Sequence, residues 1–158
     1  MTELRVRPMT ADEFDGFRSR LIREYAADHV QAGNWSADEA QERAASETDG
    51  LLPEREQSPG VLLLVAETAD GEPVGHVWVG LNRAAGGGGA WIYDIEVIAE
   101  HRGQGYGREL LAAAERETAS RGVHAIGLNV FGPNAVARGL YESAGYEITT
   151  VQMRKALD

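Results

Sequence analysis

The sequence contains no cysteine, and this absence excludes several kinds of chemistry. Disulfide bonds, thiolate metal sites and a cysteine nucleophile all require a thiol. Long apolar runs are also missing, since none approaches the roughly 20 residues with which a helix spans a bilayer. Residues 1–5 lack the basic region, followed by an apolar one, that marks a signal peptide. We therefore expect a cytoplasmic protein.

Positive charge is scarce as well. The 15 lysines and arginines stand against 25 aspartates and glutamates, which gives a formal net charge of −10 at pH 7. Nucleic acids and anionic membrane surfaces bind clustered lysine and arginine side chains, so neither is an expected partner. An acidic chain that binds a small anionic ligand must concentrate its few positive groups in one place.

The pattern of strands and helices predicts a single α/β domain, since 158 residues suffice for one hydrophobic core. Two capping boxes, Thr10 with Glu13 and Ser36 with Glu39, open the first two helices. The predicted elements of the first half are a strand at 4–7, these two helices, and strands at 61–66 and 74–81 that form a hairpin around Asp70 and Gly71.

The second half alternates strand and helix. Its predicted elements are a strand at 91–98, a helix at 104–121, a strand at 124–130, a helix at 133–144 and a last strand at 146–154. Gly122 and Gly145 stand where a helix commonly stops. The four glycines at 86–89 predict a mobile loop, either a plain hairpin connection or a lid over a substrate.

A glycine-rich turn joins the strand at 91–98 to the helix that follows it. The turn reads Arg102, Gly103, Gln104, Gly105, Tyr106, Gly107, Arg108. Unpaired N–H groups at a helix start hold an anion, glycines let the backbone approach phosphate oxygens, and the two arginines supply local positive charge. The spacing differs from the Gly-x-Gly-x-x-Gly of dinucleotide-binding loops, and the Gly-Lys-Ser/Thr of a Walker loop is missing.

This turn resembles the Arg/Gln-x-x-Gly-x-Gly/Ala motif of the GNAT (GCN5-related N-acetyltransferase) superfamily. A second motif follows about 30 residues later, similar to the Asn-x-x-Ala-x-x-Leu-Tyr-x-x-x-Gly-Phe/Tyr pattern of that family. It is carried by Asn134, Ala137, Leu140, Tyr141, Gly145 and Tyr146. Amino-terminal features, among them Tyr25, Trp35 and residues 51–53, also resemble a bacterial subgroup of unsettled substrate.

The resemblance implies an acetyl-CoA-dependent N-acetyltransferase that moves the acetyl group directly to a primary amine in a ternary complex. The implied α/β (α+β) fold has a central mixed, mostly antiparallel sheet of six to seven strands, about four helices and one splayed strand pair. Residues 1–60 would supply the acceptor-side helices and residues 61–158 the acetyl-CoA-binding core. No metal is expected, and the four histidines, His29, His76, His101 and His124, lack metal-ligand spacing.

The same resemblance assigns the parts of the donor site. The amides of residues 102–108, together with Asn134, would hold the coenzyme A pyrophosphate. The pantetheine arm would enter the gap between the splayed strands and pair with the backbone of Ile95 and Val97. Tyr141 stands where the family places a tyrosine that protonates the leaving thiolate, although its position also suits a core aromatic residue.

Asp94 and Glu96 are two positions apart on a predicted strand, so their side chains share a face. Two carboxylates on an otherwise apolar strand must be wet or paired, which makes them candidates for the general base, acting through water, with Glu96 preferred. The acceptor side is expected to include Tyr25, His29 and Trp35, and nearby acidic groups favour a cationic amine. A non-catalytic acyl-CoA-binding sensor or interaction module is the alternative, and a homodimer is possible.

Overall fold

The computed structural model describes residues 3–82 and 89–157. Its elements in chain order are β1 (Arg5–Pro8), α1 (Ala11–Gln31), α2 (Ala37–Leu51), β2 (Val61–Glu67), β3 (Pro73–Gly80), β4 (Ala90–Val97), α3 (Tyr106–Ala119), β5 (Ile126–Leu128) and α4 (Ala135–Ser143). Short 3-10 helices cover Arg55–Gln57 and Ala99–His101. The predicted glycine loop at 86–89 lies outside the described residues except for Gly89.

One mixed sheet forms the centre of the fold. Its strands follow the order β1-β2-β3-β4-β5, with antiparallel pairing throughout except between β4 and β5, which are parallel. The mostly antiparallel α/β architecture with four helices is as predicted. The strand count is lower, because the described residues form five strands rather than six or seven.

The missing strand is the last one predicted. Residues 147–157 are exposed and belong to no strand, and the strand predicted at 124–130 shortens to Ile126–Leu128. A strand exists only where a neighbour takes up its N–H and C=O groups, and no described strand pairs with this segment. The composition of 146–154 therefore favoured a strand that the described residues do not form.

Alternate residues of the hairpin face two helical layers. Leu63, Val65 and Trp78 pack with Phe14 and Phe17 of α1 on one side. On the other side, the apolar residues of β2 and β3 pack with Leu110 and Leu111 of α3. The helix α1 thus covers one face of the sheet, with α2 packed against α1, and α3 covers the opposite face.

A bulge in β4 lies at the point where β4 and β5 separate. Trp78 pairs with Asp94 whereas Val79 pairs with Ile92, so Tyr93 is an extra residue that bends the strand. Pairing between β4 and β5 covers only Ala90 to Ile92. Beyond Ile92 and Leu128 the two parallel strands diverge, which confirms the predicted splayed pair. No described helix has the length and apolar composition that a membrane span requires.

Candidate active site

The gap between the diverging strands is lined by free backbone on its β4 side. The Ile98 N–H donates to Val74 O at 2.8 Å, which makes this pair hydrogen-bonded across β3 and β4. Because such pairs alternate along an antiparallel ladder, the backbone groups of Ile95 and Val97 point away from β3 and towards the gap. The two residues predicted to pair with a pantetheine arm therefore present their peptide groups where such an arm would lie.

The glycine turn closes one end of this gap and starts α3. Gly103 and Gly105 have φ angles of 78° and 84°, a region that glycine adopts without strain, and Gly105 is the N-cap of the helix. Within the described residues, none of the amides from 103 to 108 donates a hydrogen bond to another backbone group. These exposed amides at a helix start provide the anion-binding geometry that the sequence predicted.

The two arginines of the turn form hydrogen bonds with neighbouring elements. The Arg102 Nε donates to Val97 O at 2.9 Å, and its Nη2 lies 3.5 Å from Glu96 Oε1. The Arg108 Nη2 donates to Ser143 Oγ on α4 at 2.8 Å. Both arginines therefore join neighbouring elements of the site, while their positive charge stays next to the turn.

Two further predicted residues have structural roles in the same region. Tyr106 is buried in the core beneath α3, so only its amide faces the turn. Asn134 caps α4, since its side-chain oxygen accepts from the Ala137 N–H at 3.2 Å. Gln104 is exposed, and Gly107 lies against Leu140 of α4, so that α3 and α4 approach closely at this point.

Asp94 and Glu96 share one face of β4, as predicted, and both lie close to a histidine that the sequence did not single out. The His76 Nε2 is 2.7 Å from Asp94 Oδ2 and 3.9 Å from Glu96 Oε2. His76 is 8% exposed, and its ring meets Phe17 edge-on at 5.0 Å. The sequence showed His76 only as a histidine within an apolar strand. Its proximity to Asp94 and Glu96 depends on the pairing register of β3 and β4, which aligns His76 with Glu96 and which sequence spacing does not determine.

Glu96 is also held by two arginines. Arg20 of α1 approaches Glu96 Oε2 at 3.7 Å, and Arg102 approaches Oε1 at 3.5 Å. Ligand atoms of His76, Asp94 and Glu96 lie within 4.8 Å of one another, a spacing that suits a metal ion. Two guanidinium groups already balance the charge of Glu96, however, and we therefore describe the cluster as an ion-pair network.

Tyr141 reaches the site from α4. Its side chain is half-buried at the edge of the core formed with α3, and its ring lies 5.9 Å from that of Tyr146. Burial raises the pKa of the Tyr141 phenol above its usual value, and the charge of Asp94 raises it further. The Tyr141 ring thus packs against the core, and its phenol is influenced by the charge of the Asp94 carboxylate.

Two carboxylates of α1 add negative charge to the same region. Loss of hydration raises the pKa of Glu24, and the charges of Glu96 and Asp94 raise it further. Asp28 also has a raised pKa, caused first by loss of hydration, with a contribution from Asp94. Glu24 and Asp28 follow Arg20 at intervals of four residues, so one side of α1 faces the carboxylates of β4.

The predicted acceptor residues form an aromatic cluster at the end of α1. His29 stacks on Trp35 with ring centroids 3.9 Å apart, Tyr25 meets both rings edge-on, and Phe131 after β5 lies 5.5 Å from His29. Trp35 is buried beneath Arg43, whose guanidinium lies 4.7 Å from the indole, and burial lowers the pKa of His29. Trp35 is therefore a packing residue. The rings of Tyr25 and His29 are partly exposed and lie next to Asp28 in the sequence of α1, so they remain accessible on the acceptor side.

Comparison with known proteins decides the family. The model of the acetyltransferase (GNAT) family matches residues 20–146, which include the splayed strands, the glycine turn and α4. The chain belongs to the GNAT acetyltransferase family. The uncharacterized N-acetyltransferase YycN of Bacillus subtilis is 32% identical over 150 residues, covering 95% of this chain and 96% of YycN. The crystal structure of YycN superposes with a TM-score of 0.91 at 31% identity, over 98% of each chain.

Two other similar proteins carry more specific names. A mycothiol acetyltransferase of Kytococcus sedentarius is 31% identical over 149 residues, which cover 94% of this chain but 47% of that relative. The PaiA N-acetyltransferase of Thermoplasma acidophilum, solved in complex with coenzyme A, has a TM-score of 0.68 at 19% identity and covers 95% of this chain and 93% of its own. The second similarity shows a shared fold.

In this GNAT domain, the glycine turn, the β4 backbone, the carboxylate pair and Tyr141 meet around the β4–β5 gap. His76 and Arg20 join them without having been predicted, because both contacts depend on tertiary packing. Trp35 stays apart from the cluster as a packing residue.

Proposed function

We propose that this GNAT protein transfers the acetyl group of acetyl-CoA to a primary amine by direct attack within a ternary complex. The observation that carries the proposal is the gap beyond Ile92 and Leu128. It leads towards the amides of the glycine turn, and nearby, burial and the charge of the Asp94 carboxylate raise the pKa of the Tyr141 phenol.

The donor site is built mainly from backbone. The amides of residues 103–108 would bind the pyrophosphate of acetyl-CoA at the start of α3. The peptide groups of Ile95 and Val97 would pair with the pantetheine arm, as a strand pairs with a sheet edge. Amide N–H groups of β4 would also polarise the thioester carbonyl. Acetyl-CoA supplies the activated acetyl group, and residues of this chain would supply the acid and the base.

The acid role is assigned to Tyr141. When the amine nitrogen bonds to the acetyl carbon, the carbon–sulfur bond breaks and the sulfur leaves with the electron pair. The Tyr141 phenol donates a hydrogen bond or its proton to that sulfur. Because burial and Asp94 raise its pKa, the phenol is protonated throughout the neutral pH range.

The base role is assigned to Asp94 rather than Glu96. The ammonium group of the acceptor must lose one proton before attack and a second proton leaves the nitrogen afterwards. Both oxygens of Glu96 have an arginine within 3.7 Å, whereas Asp94 is hydrogen-bonded to the imidazole of His76. The first of these protons would pass to Asp94, directly or through water, with His76 holding the carboxylate in place, and the second would pass to solvent water.

The acceptor would approach along α1, where Glu24 and Asp28 face the carboxylates of β4. An amine that carries a second positive charge suits this side of the gap, because its distal cation would meet Glu24 or Asp28. Tyr25 and His29 would border it at the far end. The mycothiol acetyltransferase similarity does not by itself identify the acceptor, since this chain spans less than half of that relative.

An amine panel tests the proposal. Purified protein is incubated with acetyl-CoA and with monoamines, diamines, peptide amino termini and aminoglycosides, and released thiol is measured. Acetyl-CoA-dependent thiol release with at least one amine, accompanied by the N-acetylated product in the mass spectrum, is the expected result. Tight binding of acetyl-CoA without turnover of any amine would instead favour the non-catalytic acyl-CoA-binding module.

A further inference from the structure

Arg102 connects the donor side of the gap with the acceptor side. Its Nε donates to Val97 O at 2.9 Å, and its Nη2 lies 3.5 Å from Glu96 Oε1. The Val97 peptide group faces the gap, whereas the Glu96 side chain lies with Asp94 on the face of β4 next to α1. One guanidinium group therefore contacts the gap edge of β4 and, at the same time, its α1 face.

The contact with Val97 O competes with the proposed donor. The Val97 peptide group is one of the two that would pair with the pantetheine arm, and Arg102 donates to its carbonyl oxygen. A pantetheine amide that bonds to this oxygen must share it with Arg102 or displace the guanidinium. The Arg102 side chain is 60% exposed, so it can turn without leaving a buried cavity.

A pyrophosphate would attract Arg102 away from this carbonyl. Arg102 directly precedes the turn whose amides would bind the pyrophosphate of acetyl-CoA. Hydrogen bonds from a guanidinium to phosphate oxygens are charge-assisted and can be bidentate, whereas the carbonyl of Val97 is a single neutral acceptor. Donor binding therefore favours a position of Arg102 on the phosphates.

The contact with Glu96 has a consequence on the acceptor side. The Glu96 side chain is 18% exposed, with Arg20 at 3.7 Å from Oε2 and Arg102 at 3.5 Å from Oε1. Loss of hydration and then the charge of Glu96 raise the pKa of Glu24 on α1, so the two carboxylates lie near each other. Moving Arg102 to the phosphates would remove one positive neighbour and make this space more negative.

We propose that Arg102 is a positioning residue that makes the binding of a dicationic acceptor depend on the donor. The inference rests on the proposed function and connects its two substrates. With acetyl-CoA bound, Arg102 contacts the pyrophosphate, and Glu96 together with Glu24 binds the distal ammonium group of the acceptor. Without the donor, Arg102 stays on Val97 O and Glu96, and the same acceptor binds less tightly.

Long-range attraction is the competing explanation for such a dependence. The phosphates of acetyl-CoA are negative and would attract a dication through the field of the site, whatever Arg102 does. Arg108 separates the two explanations. It also carries one positive charge next to the turn, but its Nη2 donates to Ser143 Oγ on α4 rather than to Glu96. Removing either arginine changes the net charge equally, whereas Arg102 is the one that contacts the acceptor carboxylate.

Calorimetry with free coenzyme A, which has no acetyl group to transfer, tests the inference. Diaminobutane is titrated into the protein alone and into the protein saturated with coenzyme A, and the ratio of the two dissociation constants is the coupling factor. In the wild type, coenzyme A should tighten diamine binding about two- to fivefold, the scale of one partly exposed ion pair. Because linkage is reciprocal, the diamine should tighten coenzyme A binding by the same factor.

Three variants are expected to differ. Arg102→Gln without coenzyme A should bind the diamine about two- to fivefold more tightly than the wild type, because Glu96 is already released, and its coupling factor should be near unity. Glu96→Gln should bind the diamine weakly with or without coenzyme A. Arg108→Gln is the matched control and should keep the wild-type coupling factor, even if coenzyme A itself binds less tightly. A merely structural role of Arg102 would not tighten the binding of any ligand.

Two results would overturn the inference and leave the proposed function in place. One is an equal coupling factor in Arg102→Gln and the wild type, which would assign the dependence to the field of the phosphates. The other is an equal diamine affinity of the wild type with and without coenzyme A. Failure of the wild type to bind coenzyme A at all would overturn the proposed function together with this inference.

Discussion

The His76 Nε2 lies 2.7 Å from Oδ2 of Asp94, although the two residues are 18 positions apart and sit on neighbouring strands. In the proposed mechanism, the imidazole orients this carboxylate for its reaction with the acceptor amine. Glu96, two residues further along the same face, has arginines at both oxygens. The two carboxylates therefore differ in what they can do.

The first prediction separates these carboxylates. Asp94→Asn should lower kcat about 100-fold, the usual scale for loss of a general base, whereas Glu96→Gln should lower it less than about tenfold. Initial rates of amine acetylation at saturating acetyl-CoA measure both. The opposite order would assign the base to Glu96.

The second prediction concerns His76, which acts through Asp94 as a positioning residue. His76→Asn should lower kcat by about tenfold and change the acidic limb of the pH–rate profile, while KM for acetyl-CoA stays the same. A purely structural role would instead reduce thermal stability and leave the shape of the profile unchanged. Rates and unfolding temperatures measured on the same preparations distinguish the two.

The third prediction concerns the proton donor. Tyr141→Phe should reduce kcat about 100-fold without weakening acetyl-CoA binding, because only the hydroxyl is removed. Tyr146→Phe is the matched control, since its hydroxyl bonds to Glu115 on α3 and should affect stability by about 1 kcal/mol rather than the rate. Equal rates for Tyr141→Phe and the wild type would remove Tyr141 from the mechanism.

The fourth prediction concerns the acidic side of α1. Glu24→Gln together with Asp28→Asn should raise KM for a diamine several-fold and leave KM for a monoamine of similar length nearly unchanged, since only the diamine has a distal cation. Added salt should reduce the difference. Asp38→Asn is the control, because it removes the charge of an exposed carboxylate on α2. If it raised KM for the diamine equally, only the net charge of the protein would matter.

The fifth prediction is a pH dependence of stability. Arg7 holds Glu13 through two hydrogen bonds of 2.8 and 2.9 Å, which lower the pKa of Glu13 from 4.5 to about 2. Because the pKa of Glu13 is lower in the folded than in the unfolded protein, its ionised carboxylate stabilises the fold. This stabilisation is fully present above about pH 4.5 and is lost as the pH falls towards 2. Glu13→Gln should therefore cost about 1 kcal/mol of unfolding free energy at pH 7, an amount reduced by solvent screening.

Urea titrations at several pH values check this prediction. The difference between wild type and Glu13→Gln should shrink between pH 4.5 and about pH 2. Glu39→Gln, in the capping box of α2, is the control. The Arg43 guanidinium lies 3.5 Å from the Glu39 carboxylate, a longer contact than those of Glu13 with Arg7, so this substitution should lower the unfolding free energy less at pH 7. A difference for Glu13→Gln that stays constant down to pH 2 would contradict the assignment.

Local patterns made part of this site predictable. The glycine turn, the capping boxes and the shared face of Asp94 and Glu96 depend on residues close together in sequence, so spacing alone located them. The contacts of His76 and Arg20 depend on strand register and on how α1 lies on the sheet, which spacing does not determine. The composition of 146–154 favoured a strand, but a strand also needs a paired neighbour, and composition does not say whether the fold provides one.

The central claim is that the turn at Gly105 binds the phosphates of acetyl-CoA, and calorimetric titration of two glycine variants tests it most directly. Gly105 and Gly122 have φ angles of 84° and 81°, and a Cβ at either position would touch nothing within 4 Å. Alanine should therefore cost each about 1 kcal/mol of stability from backbone strain. Only Gly105→Ala should weaken acetyl-CoA binding, by at least about tenfold, because only its Cβ stands where phosphate oxygens must approach the amides. Equal affinities for the wild type and both variants would contradict this account.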